Sequence, residues 1–196
     1  MVPVWLHTLS VVFVLGAAIC TVIVAGDLLR HPQKMWIMAV VWPLTALYAG
    51  PFGLWAYFAI GRNTPDRNAR DKPFWQTVLT GATHCGAGCA VGDGISEWVV
   101  FAAALQVLGS TLLAKYALAF ALAYTFGILF QYFSIAPMRG LGLADGVRAA
   151  VKADTLSLIA YEVGMFAWMG VSQKLLFPSE LAAQSFWAAT FALSLI

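Results

Sequence analysis

The residues of this sequence that could carry chemistry lie close together in one apolar stretch. Between positions 83 and 97 the chain reads THCGAGCAVGDGISE, with one histidine, two cysteines and two carboxylates. Four of these residues are spaced by four: Cys85, Cys89, Asp93 and Glu97. Because residues four apart point nearly the same way on a helix, we expect one polar stripe. Thiolates and imidazole suit copper(I) or zinc, whereas carboxylates suit harder ions or protons. The predicted metal ligands are His84, Cys85, Cys89 and Asp93.

Ionisable and thioether residues in later segments extend this pattern. Glu162 lies at a depth similar to that of Glu97 in another apolar stretch, and Asp154 begins that stretch. An ionisable group within a membrane helix is a candidate functional residue, so these three carboxylates predict an ion or proton path. A protonated carboxyl that bonds between helices is the structural alternative. Met138 and Arg139 follow the fourth apolar run and are predicted to line a cytoplasmic mouth, although an arginine there also suits a lipid phosphate.

The composition predicts that these residues are held by membrane helices. Of 196 residues, 61% are hydrophobic and only 10% are charged, against roughly a quarter charged in soluble domains. We therefore expect an all-α fold, a polytopic membrane helix bundle of about six transmembrane helices forming a single transmembrane domain over 1–196. The predicted spans are 4–29, 35–60, 80–108, 112–135, 153–177 and 179–196, of which the last is short for a crossing.

The segments around the spans carry further expectations. Trp42-Pro43 and Gly50-Pro51 predict a kink in the second span. The third span is expected to begin with a short segment at the membrane interface, followed by a helix from about Thr80. The segment 136–152 is expected to be a basic connection with a short amphipathic surface helix in its later part. Lys and Arg are more frequent in the connections after spans two and four, and the positive-inside rule assigns those connections to the cytoplasm. With six crossings, the N-terminus is expected on the same side.

Each polar residue of the third span also has an ordinary structural interpretation. Buried cysteine is commonly a small hydrophobe, and His84 could bond a carbonyl near the start of its helix. Gly88 and Gly92 lie beside the polar stripe, and small residues at this spacing let a neighbouring helix approach closely. The stripe is therefore expected to face protein. A disulfide within Cys85-x3-Cys89 is not expected on a helix, because the side-chain vectors do not meet the required geometry.

The cysteine segment resembles a bacterial membrane family, domain of unknown function 4396. The similarity extends through Met138-Arg139-Gly140 and the helix with Asp154 and Glu162, and so covers most of the chain after the second loop. The family implies no established activity. A loose association of its naming with copper proteins implies a soft metal. Related chains continue into a longer, basic final helix, whereas this sequence stops at Ile196.

Several functions fit these patterns. The preferred hypothesis is an inner-membrane transporter or handling protein for a transition-metal ion, with copper(I) favoured over zinc. One alternative is a membrane thiol redox enzyme or metallocofactor assembly factor, which would require an unwound third span near Gly86 to Gly94. Another is a structural subunit of a larger membrane complex. Expected partners are the lipid bilayer, the metal ion, and a homo-oligomer or membrane complex. A net charge of +2 gives no basis for nucleic-acid binding.

Overall fold

The computed structural model describes residues 4–65 and 73–171, and nearly all of them are helical. We label the helices α1 (Val4–Arg30), α2 (Trp36–Ala56), α3 (Phe74–Ala102), α4 (Thr111–Arg139) and α5 (Leu143–Val171). A π-helical turn, Tyr57–Gly61, continues α2. The all-α expectation is confirmed. The predicted last span, 179–196, lies outside the described residues, and a total of six crossings is not confirmed.

Three of these helices are long and apolar enough to cross a membrane. The qualifying stretches are Val11–Arg30, Trp36–Gly61 and Thr111–Arg139. α3 and α5 are each 29 residues long but carry the buried carboxylates, which lower their hydropathy. In lipid a helix satisfies its own backbone hydrogen bonds, which explains why such apolar sequence is helical throughout.

α2 is a hairpin of two helical arms and does not run straight. Gly50 has φ 52° and ψ −129°, a conformation that glycine tolerates and other residues rarely adopt. The arm 51–61 therefore returns alongside the arm 36–49. The rings of Trp42 and Tyr57 meet edge to face with 5.7 Å between their centroids. The side chain of Gln33, just before the first arm, donates a hydrogen bond to the carbonyl of Gly61 at the end of the second arm, at 3.2 Å. The kink expected at Gly50-Pro51 is thus a complete reversal.

A cluster of polar side chains, which we call the Asp27 clamp, fastens the returning arm to α1. It consists of Asp27, His31, Tyr57 and Arg62. Both Asp27 oxygens accept hydrogen bonds from Arg62, Oδ2 from Nε at 2.9 Å and Oδ1 from Nη2 at 2.8 Å. The Tyr57 hydroxyl donates to Oδ2 at 2.8 Å, and His31 Nδ1 lies 3.2 Å from Oδ1. Asp27 is at the end of α1, so the clamp holds both ends of α2 at one end of the bundle.

The hairpin changes the expected topology of the chain. Gln33, Arg62 and Thr80 line one cleft, and Trp36 stacks edge to face on Phe133, 4.9 Å between centroids. The end of α1, both ends of α2, the start of α3 and the end of α4 therefore share one end of the bundle, which we call the basic end. Six of the seven Lys and Arg residues that the structure describes lie at this end, in helix ends, connections and the first ten residues of α5: Arg30, Lys34, Arg62, Arg139, Arg148 and Lys152. The predicted span 35–60 is therefore built as two arms of one hairpin. The cytoplasmic N-terminus, which depended on a single crossing there, stays a prediction.

α3, α4 and α5 form an antiparallel inner layer. α3 begins at Phe74 without a separate interfacial lead, and it ends at Ala102 because residues 103–110 turn back through a Val107–Ser110 bridge. Methyl groups on Gly88 and Gly92 would collide with the backbone of Gly127 and Ala123, which confirms the expected close approach of a neighbouring helix. α4 ends at Arg139 and is capped by Gly140, whose φ is 61°. α5 starts at Leu143, so the predicted surface helix before Lys152 is part of α5.

Candidate functional site

The two cysteines of α3 form the centre of a buried polar cluster. Cys85 and Cys89 are both buried and both free thiols, as the helical spacing predicted. They lie within hydrogen-bonding reach of each other. Leu158 of α5 and Ala123 of α4 pack against them. Two soft ligand atoms therefore face each other where three helices meet.

Two carboxyl groups of α5 lie beside the thiols. Asp154 is 2% exposed and approaches Cys85, and Glu162 is 1% exposed and approaches Cys89. Ser157 donates to Asp154 Oδ1 at 3.3 Å. Asp154 Oδ2 and both Glu162 oxygens accept no hydrogen bond from an N–H or O–H group in the described part of the chain. Asp154 has room because Gly127, which has no side chain, faces it from α4: a methyl carbon at Gly127 would be 3.1 Å from Oδ2.

The carboxylates of α3 continue the cluster away from the basic end. Asp93 interacts electrostatically with Glu162 and Glu97, and neither of its oxygens accepts a hydrogen bond within residues 4–65 and 73–171. Glu97 instead forms a buried ion pair with Lys115 of α4, Nζ to Oε2 2.7 Å. Glu162 and Glu97 are therefore linked through Asp93, and Glu97 has its own partner in Lys115.

We call this group the inner cluster. Its members are Cys85, Cys89, Asp93, Glu97, Lys115, Asp154 and Glu162. Cys85 and Glu97 are twelve residues apart on one helix, which corresponds to about 18 Å along its axis. The cluster therefore runs along the bundle from the level of Asp154 towards the end where α3 passes into α4. Each of its carboxylates and thiols was predicted from the sequence; the lysine was not.

Two tyrosines that the sequence interpretation missed also border the inner cluster. Tyr48, near the tip of the α2 hairpin, interacts with Cys85 and Cys89, and its hydroxyl lies against Gly86. Tyr161 on α5 interacts with Cys89, Asp93 and Glu162. A cavity of about 290 Å³ separates the hairpin from α3 and α5, with both tyrosines and Cys85 in its wall. A tyrosine in an apolar run gives little sequence signal, since most such residues are interfacial anchors or packing residues.

Three predicted site residues lie elsewhere. His84 is buried on another side of α3, where Nδ1 lies 2.8 Å from the Thr80 carbonyl oxygen, the structural alternative expected for it. Met138 is 71% exposed and Arg139 is exposed, both at the last turn of α4. Met138 is eleven residues beyond Gly127, or about 16 Å along the helix. The structure therefore brings Cys85, Cys89, Asp93, Asp154 and Glu162 together, and leaves His84, Met138 and Arg139 apart from them.

The geometry limits what the cluster can bind as it stands. Over residues 4–65 and 73–171, no three His, Cys, Asp or Glu side chains converge in the arrangement of a metal site. The ligand set His84, Cys85, Cys89 and Asp93 stays a prediction. α3 is continuous through 86–94, so the unwound segment that a redox role would require is not present there. What the cluster offers is a pair of adjacent thiols with buried acceptors on one side.

Comparison with known proteins gives a family and no function. The family model described as Domain of unknown function (DUF4396) matches residues 74–196, which is most of the chain and includes all of α3, α4 and α5. The match contains every residue of the inner cluster and begins at the first residue of α3. No curated protein and no solved structure matches the chain.

Proposed function

Because this chain belongs to the DUF4396 family, whose function is undefined, we propose a function from its own residues: a membrane protein that binds and moves a soft transition-metal cation. One observation supports this proposal above all. Two buried free thiols lie side by side, next to carboxyl oxygens that accept no hydrogen bond from the described N–H and O–H groups. The thiols of Cys85 and Cys89 are the donors that reach Glu162 and the free oxygen of Asp154. If a metal ion displaced the thiol protons, the ion or protons supplied from outside the chain would have to satisfy these buried acceptors.

The thiol pair favours copper(I) over zinc. Soft thiolate ligands select copper(I), which two sulfur atoms suffice to coordinate, whereas zinc sites use four ligands, or three and a water. His84 faces the Thr80 carbonyl, so its imidazole would have to rearrange before it could complete a zinc site with the two thiols. Cys85 and Cys89 would hold the ion, and Asp154 and Glu162 beside them would offset its charge or take up the thiol protons.

The carboxylates provide a route along the bundle. From the thiols, Glu162 leads to Asp93, and Asp93 leads to Glu97. The broken helix of α2 reaches the same region with Tyr48 near its tip. Discontinuous helices that end in the middle of a bundle are a recurring feature of ion and substrate sites in transporters. A role in transport explains both features, whereas a purely structural subunit requires neither of them.

The orientation follows from the charge distribution. Six of the seven described Lys and Arg residues belong to the basic end, and the positive-inside rule assigns such an end to the cytoplasm. With α2 returning to the end where it began, α1 then starts on the opposite, non-cytoplasmic side. In this orientation Asp154 and Cys85 are the members of the inner cluster nearest the cytoplasm. Glu97 and Lys115 lie nearest the other side.

Metal content tests the proposal. The protein is purified in detergent with a reductant, loaded with copper(I), freed of unbound ion and analysed for copper by mass spectrometry. We expect about one equivalent in the wild type and less than about a tenth of that in Cys85→Ser/Cys89→Ser. Cys20→Ser is the matched control, because Cys20 is also a buried free thiol but packs with the α1–α2 core. Equal copper in the wild type and the double variant would refute the proposal.

A further inference from the structure

Within the described part of the chain, the inner cluster has more acidic than basic side chains. It contains four carboxyl groups, on Asp93, Glu97, Asp154 and Glu162, and one ammonium, on Lys115. All five side chains are buried. A group of ionised carboxylates in an apolar bundle needs positive charge from protons, metal ions or the chain itself. Lys115 brings positive charge next to Glu97.

Lys115 is at a particular place along the cluster. Its ammonium pairs with Glu97 at 2.7 Å, and both side chains are less than a tenth exposed. Glu97 is five residues before the end of α3, and Lys115 is four residues after the start of α4. The pair is therefore the last step of the inner cluster, next to the connection 103–110. The thiols and Asp154 lie at the other end of the cluster.

We propose that the Lys115 ammonium is a tethered cation that closes the non-cytoplasmic end of the inner cluster. This inference rests on the proposed function. A cation that moves from Asp93 to Glu97 meets a carboxylate already neutralised by Lys115, so it has to displace the ammonium before it can leave. Lysine suits this task, because its charge is compact and its flexible stem of four carbons can swing away, whereas an arginine fork holds a carboxylate in fixed geometry.

The competition has a direct consequence for ion movement. Without the ammonium, Glu97 keeps its oxygens for a passing cation, and the cluster becomes continuous from Cys85 to the end of α3. Lys115→Met preserves the length of the side chain and removes its charge. We expect it to turn a slow, closed pathway into a leak for soft monovalent cations. Lys115→Arg keeps a charge at Glu97 and is expected to stay closed.

Silver ion, a soft monovalent cation that does not change oxidation state here, serves as the probe. Full-length protein is reconstituted in phosphatidylcholine vesicles containing a silver-sensitive dye, and silver is added outside. We expect Lys115→Met to speed silver entry at least tenfold over wild type, and Lys115→Arg to remain within twofold of it. Lys152→Met is the matched control, since it removes a lysine charge from the exposed surface of α5 near the basic end, and it should equal the wild type.

A second variant and a second measurement keep the result interpretable. If Lys115→Met does not fold, the double variant Glu97→Gln/Lys115→Met leaves no unpaired charge of this ion pair buried. It also lacks the tethered cation and keeps a neutral side-chain oxygen at position 97, so it should admit silver faster than wild type. Wild-type entry rates in both folded variants would overturn the inference. Silver binding in detergent is measured on the same preparation. If the wild type binds silver through its thiols but the Lys115 variants do not leak, the tethered cation alone is refuted. If the wild type binds no silver, the proposed function is refuted.

Discussion

The Asp27 clamp and the inner cluster are both groups of charged side chains in apolar helices, but they differ in how their carboxylates are satisfied. Both Asp27 oxygens are occupied, by two nitrogens of Arg62 and the Tyr57 hydroxyl. The oxygens of Asp93 and Glu162 accept no hydrogen bond from the N–H and O–H groups that the structure describes. A fully paired carboxylate holds elements together, whereas an unpaired buried one is kept at a cost to stability and indicates function. We therefore interpret the clamp as structural and propose a functional role for the inner cluster.

The comparison predicts that small residues, rather than polar contacts, hold the inner layer together. Gly92→Leu places a side chain where the backbone of Ala123 already lies, and we expect a loss of more than about 3 kcal/mol in the free energy of unfolding, or no folded protein. Gly94→Leu, two residues away with open space around it, is the control and should change stability by less than about 1 kcal/mol. Unfolding in detergent followed by circular dichroism measures both. A tolerated Gly92→Leu would show that α3 and α4 are not in this contact.

The clamp should affect stability and leave metal binding intact. Arg62→Met removes both nitrogens from Asp27 and leaves that carboxylate without its main partner, so we expect unfolding to become easier by about 1–3 kcal/mol. Arg139→Met, which removes an exposed arginine at the same end, is the control and should be neutral. The folded fraction of Arg62→Met should still bind wild-type amounts of copper(I). A loss of copper with unchanged stability would reverse the roles assigned to the two regions.

The inner carboxylates should show the opposite behaviour. Glu162→Gln keeps the shape of the side chain and removes a buried group that can ionise, so we expect stability to stay within about 1 kcal/mol of wild type or to rise. Copper(I) affinity should fall by about tenfold, because the substitution removes a carboxyl group that could take up a thiol proton or offset the charge of an ion at Cys89. Competition with a chromogenic copper(I) chelator measures the affinity. Glu162→Gln that destabilises the protein and binds copper normally would make Glu162 a structural residue.

The smallest effect is expected at the residues predicted to form a cytoplasmic mouth. Met138 is largely exposed and about 16 Å along α4 from the level of Gly127. Met138→Leu removes the thioether and keeps the volume, so copper affinity and stability should both remain at wild-type values within the error of the same assays. A clear fall in copper affinity would bring Met138 back into the pathway.

The sequence predicted which residues form the inner cluster better than it predicted the path of the chain. The stripe Cys85, Cys89, Asp93 and Glu97 follows from helical spacing alone, and so does the close approach of α4 at Gly88 and Gly92. Lys115 was missed, although a lone charged residue in an otherwise apolar run is a detectable signal. His84 was grouped with the cysteines because it is adjacent in sequence, but neighbours on a helix differ by about 100° in direction.

The hairpin shows why topology was harder to predict. A run of 26 apolar residues with two prolines has the composition of a single crossing, and hydropathy does not distinguish a reversal from a kink. Gly50 and Pro51 supplied the local signal. The second signal was charge: Lys34 and Arg62 flank the run on both sides, which suits a segment whose ends share one face of the membrane. Tertiary contacts to Asp27, more than thirty residues away from Arg62, decide between the two, and no local pattern reveals them.

The most direct measurement of the central claim is X-ray absorption spectroscopy of copper(I)-loaded protein. We predict that two sulfur atoms and no histidine nitrogen are the ligands bound directly to copper. This sulfur shell should disappear in Cys85→Ser/Cys89→Ser and be unchanged in His84→Gln and in Cys20→Ser. A first shell dominated by nitrogen or oxygen, or a sulfur shell that survives the double substitution, would contradict a thiol site at Cys85 and Cys89.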